Sequence, residues 1–78
     1  METFEPTKDE IEMAFVASCI ETVAERLNCP YIDIFERMER VGLIDKYIYP
    51  CYETLHSESR ENLTDSLVQT LLRWENAA

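Results

Sequence analysis

The feature that most constrains this chain is the spacing of its apolar residues, which recur every three or four positions. In the first third, Met13, Val16, Ala17, Ile20, Val23, Ala24 and Leu27 share one face at about 100° per residue. Ile11, Phe15 and Cys19 follow at i, i+4 and i+8 on an adjoining flank. That pattern fits a helix with a wide apolar arc and does not fit the alternation of a half-buried strand. Thr7 followed by Glu10 reads as a capping box, in which the hydroxyl and the carboxylate each accept a bond from an orphan amide. The first helix is therefore expected to start after Thr7 and to run to about Leu27.

Breakers divide the rest of the chain. Asn28-Cys29-Pro30 ends the first helix and begins a second, because the missing amide of a proline is harmless in a first turn. Tyr31, Ile34, Phe35, Met38 and Val41 keep the helical spacing up to Gly42, the only glycine. A glycine there suits the left-handed backbone of a helix C-terminus. Ile44, Tyr47, Ile48, Cys51, Tyr52 and Leu55 also fit a period of 3.6. Pro50 deletes one hydrogen bond and biases Tyr49 away from helical angles. Two short helical pieces or one kinked helix are expected. A strand at Tyr47-Ile48-Tyr49 is the rival reading, and it lacks a second strand to pair with. Ser57-Glu58-Ser59 offers N-caps for a last helix, with Leu63, Leu67, Leu71 and Trp74 as its stripe. The fold class is thus all-α, a small bundle of four helices with the third short or kinked at Pro50. Residues 1–6 are expected to be a flexible tail, 7–75 a single helical domain and 76–78 a frayed C-terminus. Short connections imply antiparallel neighbours.

With 78 residues the chain has room for one domain and only a modest core. Its formal net charge is −9, from sixteen acids against seven bases. Phosphates repel such a surface, so no nucleic-acid partner is expected. The apolar runs are far too short to span a membrane, and the acidic first residues do not read as a signal peptide. Three cysteines without framework spacing suit reduced thiols in a cytoplasm. The charge is uneven: residues 1–25 hold seven acids and Lys8 alone as base. Asp9, Glu10 and Glu12 match the positive end of a helix dipole. Glu10, Glu21 and Glu25 fall on one side of the wheel and would suit an acidic decoy for a basic protein. Such acids are most often a solvated face, and Arg26, Arg37 and Arg40 can neutralise acids nearby.

Candidate chemistry is sparse. His56, the only histidine, follows Cys51 by five residues. Residues at i and i+5 face each other poorly on a helix, so a Cys51/His56 enzyme is an alternative rather than the leading reading. A zinc site from Cys19, Cys29, Cys51 and His56 lacks the close ligand pairs that fix such metals. No catalytic residue, metal or cofactor is expected. Tyr31, Tyr47, Tyr49, Tyr52 and Trp74 could supply a sticky surface or simply core. The Ile11–Phe15–Cys19 flank is a candidate homodimer face, because a second copy would add the burial that a small chain lacks.

Tyr47-Ile48-Tyr49-Pro50-Cys51-Tyr52-Glu53-Thr54-Leu55-His56, with Cys19-Ile20-Glu21 and the turn at Gly42, resembles a family of short bacterial proteins known as domain of unknown function 3791. The matching positions are Cys19, Ile20, Gly42, Tyr47, Ile48, Tyr52, Leu55, His56 and Asp65, and the resemblance extends over about residues 11–73. Pro50 and Ser57-Glu58-Ser59 depart from the family pattern. The resemblance implies no chemistry. It implies an accessory, antitoxin-like binding protein whose partner is the product of a neighbouring gene. It also implies a shared role for Tyr52 and His56: holding the third helix against the fourth through Asp65, or lining a binding pocket with Tyr49.

Overall fold

The computed structural model describes residues 5–77. Its helices are α1 (Lys8–Leu27), α2 (Tyr31–Val41), α3 (Tyr52–Leu55) and α4 (Arg60–Ala77), with a π-helical turn at Ile44–Ile48 between α2 and α3. No strand occurs among the described residues. The tail expected over residues 1–6 lies outside the described residues except for Glu5 and Pro6. Of the fraying expected at 76–78, Ala78 lies outside them, whereas Asn76 and Ala77 are helical.

Local chemistry explains most of the boundaries. Thr7 Oγ1 accepts from the Glu10 amide at 3.2 Å, and Glu10 Oε1 accepts from the Thr7 amide at 3.4 Å. At the other end of α1, Asn28 turns left-handed at φ 54°. Its N–H reaches the Glu25 carbonyl, and the Cys29 N–H reaches back to Ala24 at 3.0 Å. This crossed pair of bonds is a Schellman closure, which satisfies carbonyls the helix end would otherwise leave bare. Pro30 sits one residue outside α2 in extended backbone, and its carbonyl accepts from Asp33 and Ile34. Ser59 caps α4 by accepting from the Asn62 amide at 3.2 Å.

The core is Val16, Cys19, Ile20, Val23 and Ala24 from α1, Ile34 and Met38 from α2, and Leu63, Leu67 and Leu71 from α4. Leu43, Ile48 and Leu55 close it from the connecting segment. The three long helices pack on one another in every pairing. The buried face of α1 is rotated from the one expected. Cys19 is fully buried, while Met13 is 61% exposed and Ala17 is also exposed. Two helices dock on α1, and their positions select Cys19 rather than Met13 from the wide apolar arc.

Glu25 of α1 pairs with Arg60 at 3.5 Å, so α4 begins beside the end of α1. Val41 and Trp74 share a groove, so α4 finishes beside the end of α2. Consequently α4 runs against α1 and alongside α2. Antiparallel packing therefore does not extend to α2 and α4, because the segment from Gly42 to Ser59 climbs back along the bundle.

One buried polar contact ties α1 to α4. Thr64 Oγ1 donates to the Arg60 carbonyl at 2.7 Å, which leaves its lone pairs for the Thr22 hydroxyl, also at 2.7 Å. Thr64→Val removes that acceptor inside a buried environment, and stranding a buried hydroxyl costs about 1–3 kcal/mol. Urea denaturation should show this loss. The double variant Thr22→Val/Thr64→Val should recover part of it, since both polar groups are then gone. A double variant no more stable than the single would refute the pairing.

Candidate site at the turn after the second helix

Gly42 ends α2 in the left-handed region, at φ 75° and ψ 22°. Its N–H bonds the Glu39 carbonyl at 3.0 Å, and its own carbonyl accepts from Lys46 at 2.9 Å. The chain then widens into the π turn, where the Tyr49 N–H reaches five residues back to the Ile44 carbonyl at 3.0 Å. Pro50 follows at once. It has no N–H to offer, and its ring would crowd the carbonyl four residues earlier in a regular α-helix. A wider turn before it avoids that clash. The regular pattern resumes with the Cys51 N–H on Tyr47 at 3.1 Å.

This geometry forms a notch of about 240 Å³ lined by Phe35, Glu39, Gly42, Ile44, Asp45 and Tyr49. Phe35 and Glu39 lie one helical turn apart on α2. Asp45 and Tyr49 lie four residues apart across the π turn. The two rings are half-buried and the two carboxylates are exposed. Neither carboxylate forms a side-chain hydrogen bond or ion pair among the described residues. Sequence reasoning selected Tyr49 and missed Phe35, Glu39 and Asp45. The available signal was the symmetry of two aromatic–acid pairs at i, i+4 on either side of the only glycine.

Tyr52 and His56 lie elsewhere. Their rings stack at 4.6 Å with 25° between planes, and Phe15 of α1 meets Tyr52 edge-on at 5.3 Å. His56 Nε2 is 3.7 Å from the exposed Glu53 carboxylate. Tyr52 therefore holds α3 against α1. Asp65 takes no part in this contact: it accepts a hydrogen bond from Arg26 of α1 at 2.5 Å. Neither Tyr52 nor His56 lines the notch that holds Tyr49. The Ile11–Phe15–Cys19 flank is also broken up as a dimer face. Cys19 is sealed in the core and Phe15 is engaged by Tyr52, which leaves Ile11 as its exposed member.

The thiols are not clustered. Burial pushes the Cys19 thiol up to about 12, so it stays protonated at neutral pH. Cys29 Sγ donates to the Leu27 carbonyl at 3.4 Å. The Cys51 thiol and the His56 ring form no hydrogen bond with each other among the described residues. Those residues also contain no group of three or more His, Cys, Asp and Glu side chains placed to hold a metal ion.

Three ion pairs join the long helices elsewhere. A wider groove of about 480 Å³ runs between α1 and α4 over Thr22, Glu25, Arg26, Arg60, Glu61 and Thr64. Its two arginines are engaged by Asp65 and Glu25, so it offers no net field of one sign. Glu10 sits in the α1 capping box and Glu25 pairs with Arg60, which leaves Glu21 as the unengaged acid of the proposed decoy face. Arg37 grips Glu75 with two parallel bonds, at 2.8 and 2.7 Å, joining α2 to α4. The Arg37 hydrogen bond holds the Glu75 carboxyl below its ordinary value of 4.5, against an opposing effect of burial.

A carboxylate with a lowered folded pKa stabilises the fold above its unfolded pKa. That contribution fades as pH falls through the folded value. Wild type should therefore exceed Glu75→Gln in stability at neutral pH, and the two should converge as the solution is acidified below about pH 4.5. Thermal melts across that range would show it. A gap that persists unchanged into acid would assign the effect to something other than the ion pair.

A model of the family described as protein of unknown function (DUF3791) matches residues 14–74. No curated protein matches, and no solved structure matches.

Proposed function

The chain belongs to the DUF3791 family of proteins of unknown function, and from its surface we propose that it is a non-enzymatic, accessory protein-interaction module. The observation that carries this reading is the notch at Phe35, Glu39, Asp45 and Tyr49. Its volume of about 240 Å³ is below the roughly 300–1,000 Å³ of pockets that enclose small molecules. It is sized for one side chain projecting from another protein. Paired aromatic walls supply contact area at little entropic loss, as they do at the centres of protein interfaces. The lack of a hydrogen bond between the Cys51 thiol and the His56 ring among the described residues also favours binding over covalent catalysis. The partner in this reading is another protein, the product of a neighbouring gene in an antitoxin-like pairing. The encounter takes place in a cytoplasm that keeps the three thiols reduced. No helix among the described residues is long and apolar enough to cross a membrane.

The test is affinity capture from the native host, with wild type and Tyr49→Ala run side by side. A protein recovered in near-stoichiometric amount by wild type and lost with Tyr49→Ala supports the module and its site. Recovery of no protein by wild type overturns the interaction reading.

A further inference from the structure

We infer that the notch receives a basic side chain, with arginine preferred, from that protein partner; this specifies the chemistry of the interaction proposed above and rests on it. Four groups converge there with nothing of this chain to satisfy them. The Glu39 and Asp45 carboxylates are unpaired among the described residues, and unlike other unpaired acids such as Glu21 they line one notch together with two aromatic rings. Phe35 and Tyr49 add aromatic rings, a type of side chain whose face attracts cations through its quadrupole. A guanidinium uses both kinds of wall. It donates in a planar fork to carboxylates and lies flat on aromatic rings, whereas an ammonium does only the first well. Gly42 also lines the notch and adds no side chain of its own to it.

Lys46 is a cation beside the notch. Its chain runs over Gly42, on the side where a β-carbon would stand. It lines the adjacent groove with Arg40 and Trp74 and forms no ion pair with Glu39 or Asp45. Lys46 is therefore a competitor of like charge at the rim and not the occupant. With a formal charge of −9, the molecule also draws cationic partners from a distance. That pull acts over the whole surface, so the notch must be distinguished from it.

The experiment is an NMR titration of the ¹⁵N-labelled full chain with three blocked tripeptides: Gly-Arg-Gly, Gly-Lys-Gly and Gly-citrulline-Gly. Citrulline keeps the planar shape and removes the charge. The arginine peptide should give saturable shifts centred on Phe35, Glu39, Asp45 and Tyr49, and the lysine peptide should bind more weakly. Citrulline should give none. Glu39→Gln/Asp45→Asn should weaken the arginine peptide about tenfold or more, the loss expected when charge-assisted bonds are removed. Both acids are exposed, so the variant should keep the wild-type amide spectrum elsewhere. Lys46→Gln should tighten binding. Equal binding of citrulline, or shifts spread evenly over acids such as Glu21, would overturn the proposal. Binding unaltered in Glu39→Gln/Asp45→Asn would overturn it too. If the double variant still captures the native partner, the arginine assignment fails and the interaction module stands. If the peptide binds but no partner is captured, the module fails and the cation chemistry stands.

Discussion

Replacing Leu67 by alanine should lower the unfolding free energy by about 3–5 kcal/mol, in the upper part of the range for a buried leucine. Leu67 is completely buried at the middle of the α4 stripe, between Leu63 and Leu71. It belongs to the one core that α1, α2 and α4 share, so its removal leaves a cavity in that core. Domains of ordinary size are stable by only about 5–15 kcal/mol, and one as small as this lies toward the lower end. The melting temperature should drop by about 15 °C or more. Leu72→Ala is the matched control, because Leu72 is 43% exposed on the same helix. It should change stability by no more than about 1 kcal/mol. Comparable losses from both, measured by urea denaturation followed by circular dichroism, would mean that α4 packs by another face.

The second large effect is expected at Gly42. Gly42→Val should destabilise by about 2 kcal/mol, because a β-branched residue at φ 75° is held in a region its side chain opposes. The contact itself is minor. An added β-carbon would meet Lys46 Cδ at 3.3 Å, and that flexible chain can swing aside. Backbone strain therefore sets the size of the loss. Gly42→Asn should be much milder, since asparagine tolerates left-handed angles. The chain already contains the example of Asn28 at φ 54°. A valine variant that melts with wild type would refute the closure of α2 at this residue.

How much of this was legible in advance depended on the range of the interaction. The Thr7–Glu10 box and the break at Asn28–Pro30 are set by neighbours within a few residues, and both can be read from the chain. The phase of α1 is not local. Its apolar arc admits either Met13 and Ala17 or Cys19 as the inward face, and only the docking of α2 and α4 decides. Thr22 and Thr64 find each other across forty-two positions, so neither residue announces a buried partner. The family resemblance points Asp65 toward Tyr52 and His56, because sequence spacing does not show that Arg26 is its partner. At the candidate site, Tyr49 stood out beside Pro50. Glu39 and Asp45 looked like ordinary solvated acids until the backbone bent them toward the same space.

The π turn at Ile44–Ile48 sets the phase of everything after it. A wide turn contains about one residue more than an α-helical turn, so it acts as a one-residue insertion inside a helix. Deleting one residue there would let the segment relax to a regular helix and rotate all that follows by about 100°. Tyr49 would swing away from Asp45 and Phe35, and Leu55 would leave the core it now seals. Length in this loop is therefore as tightly specified as any side chain. A natural variant shorter by one residue here should also need a different residue in place of Pro50.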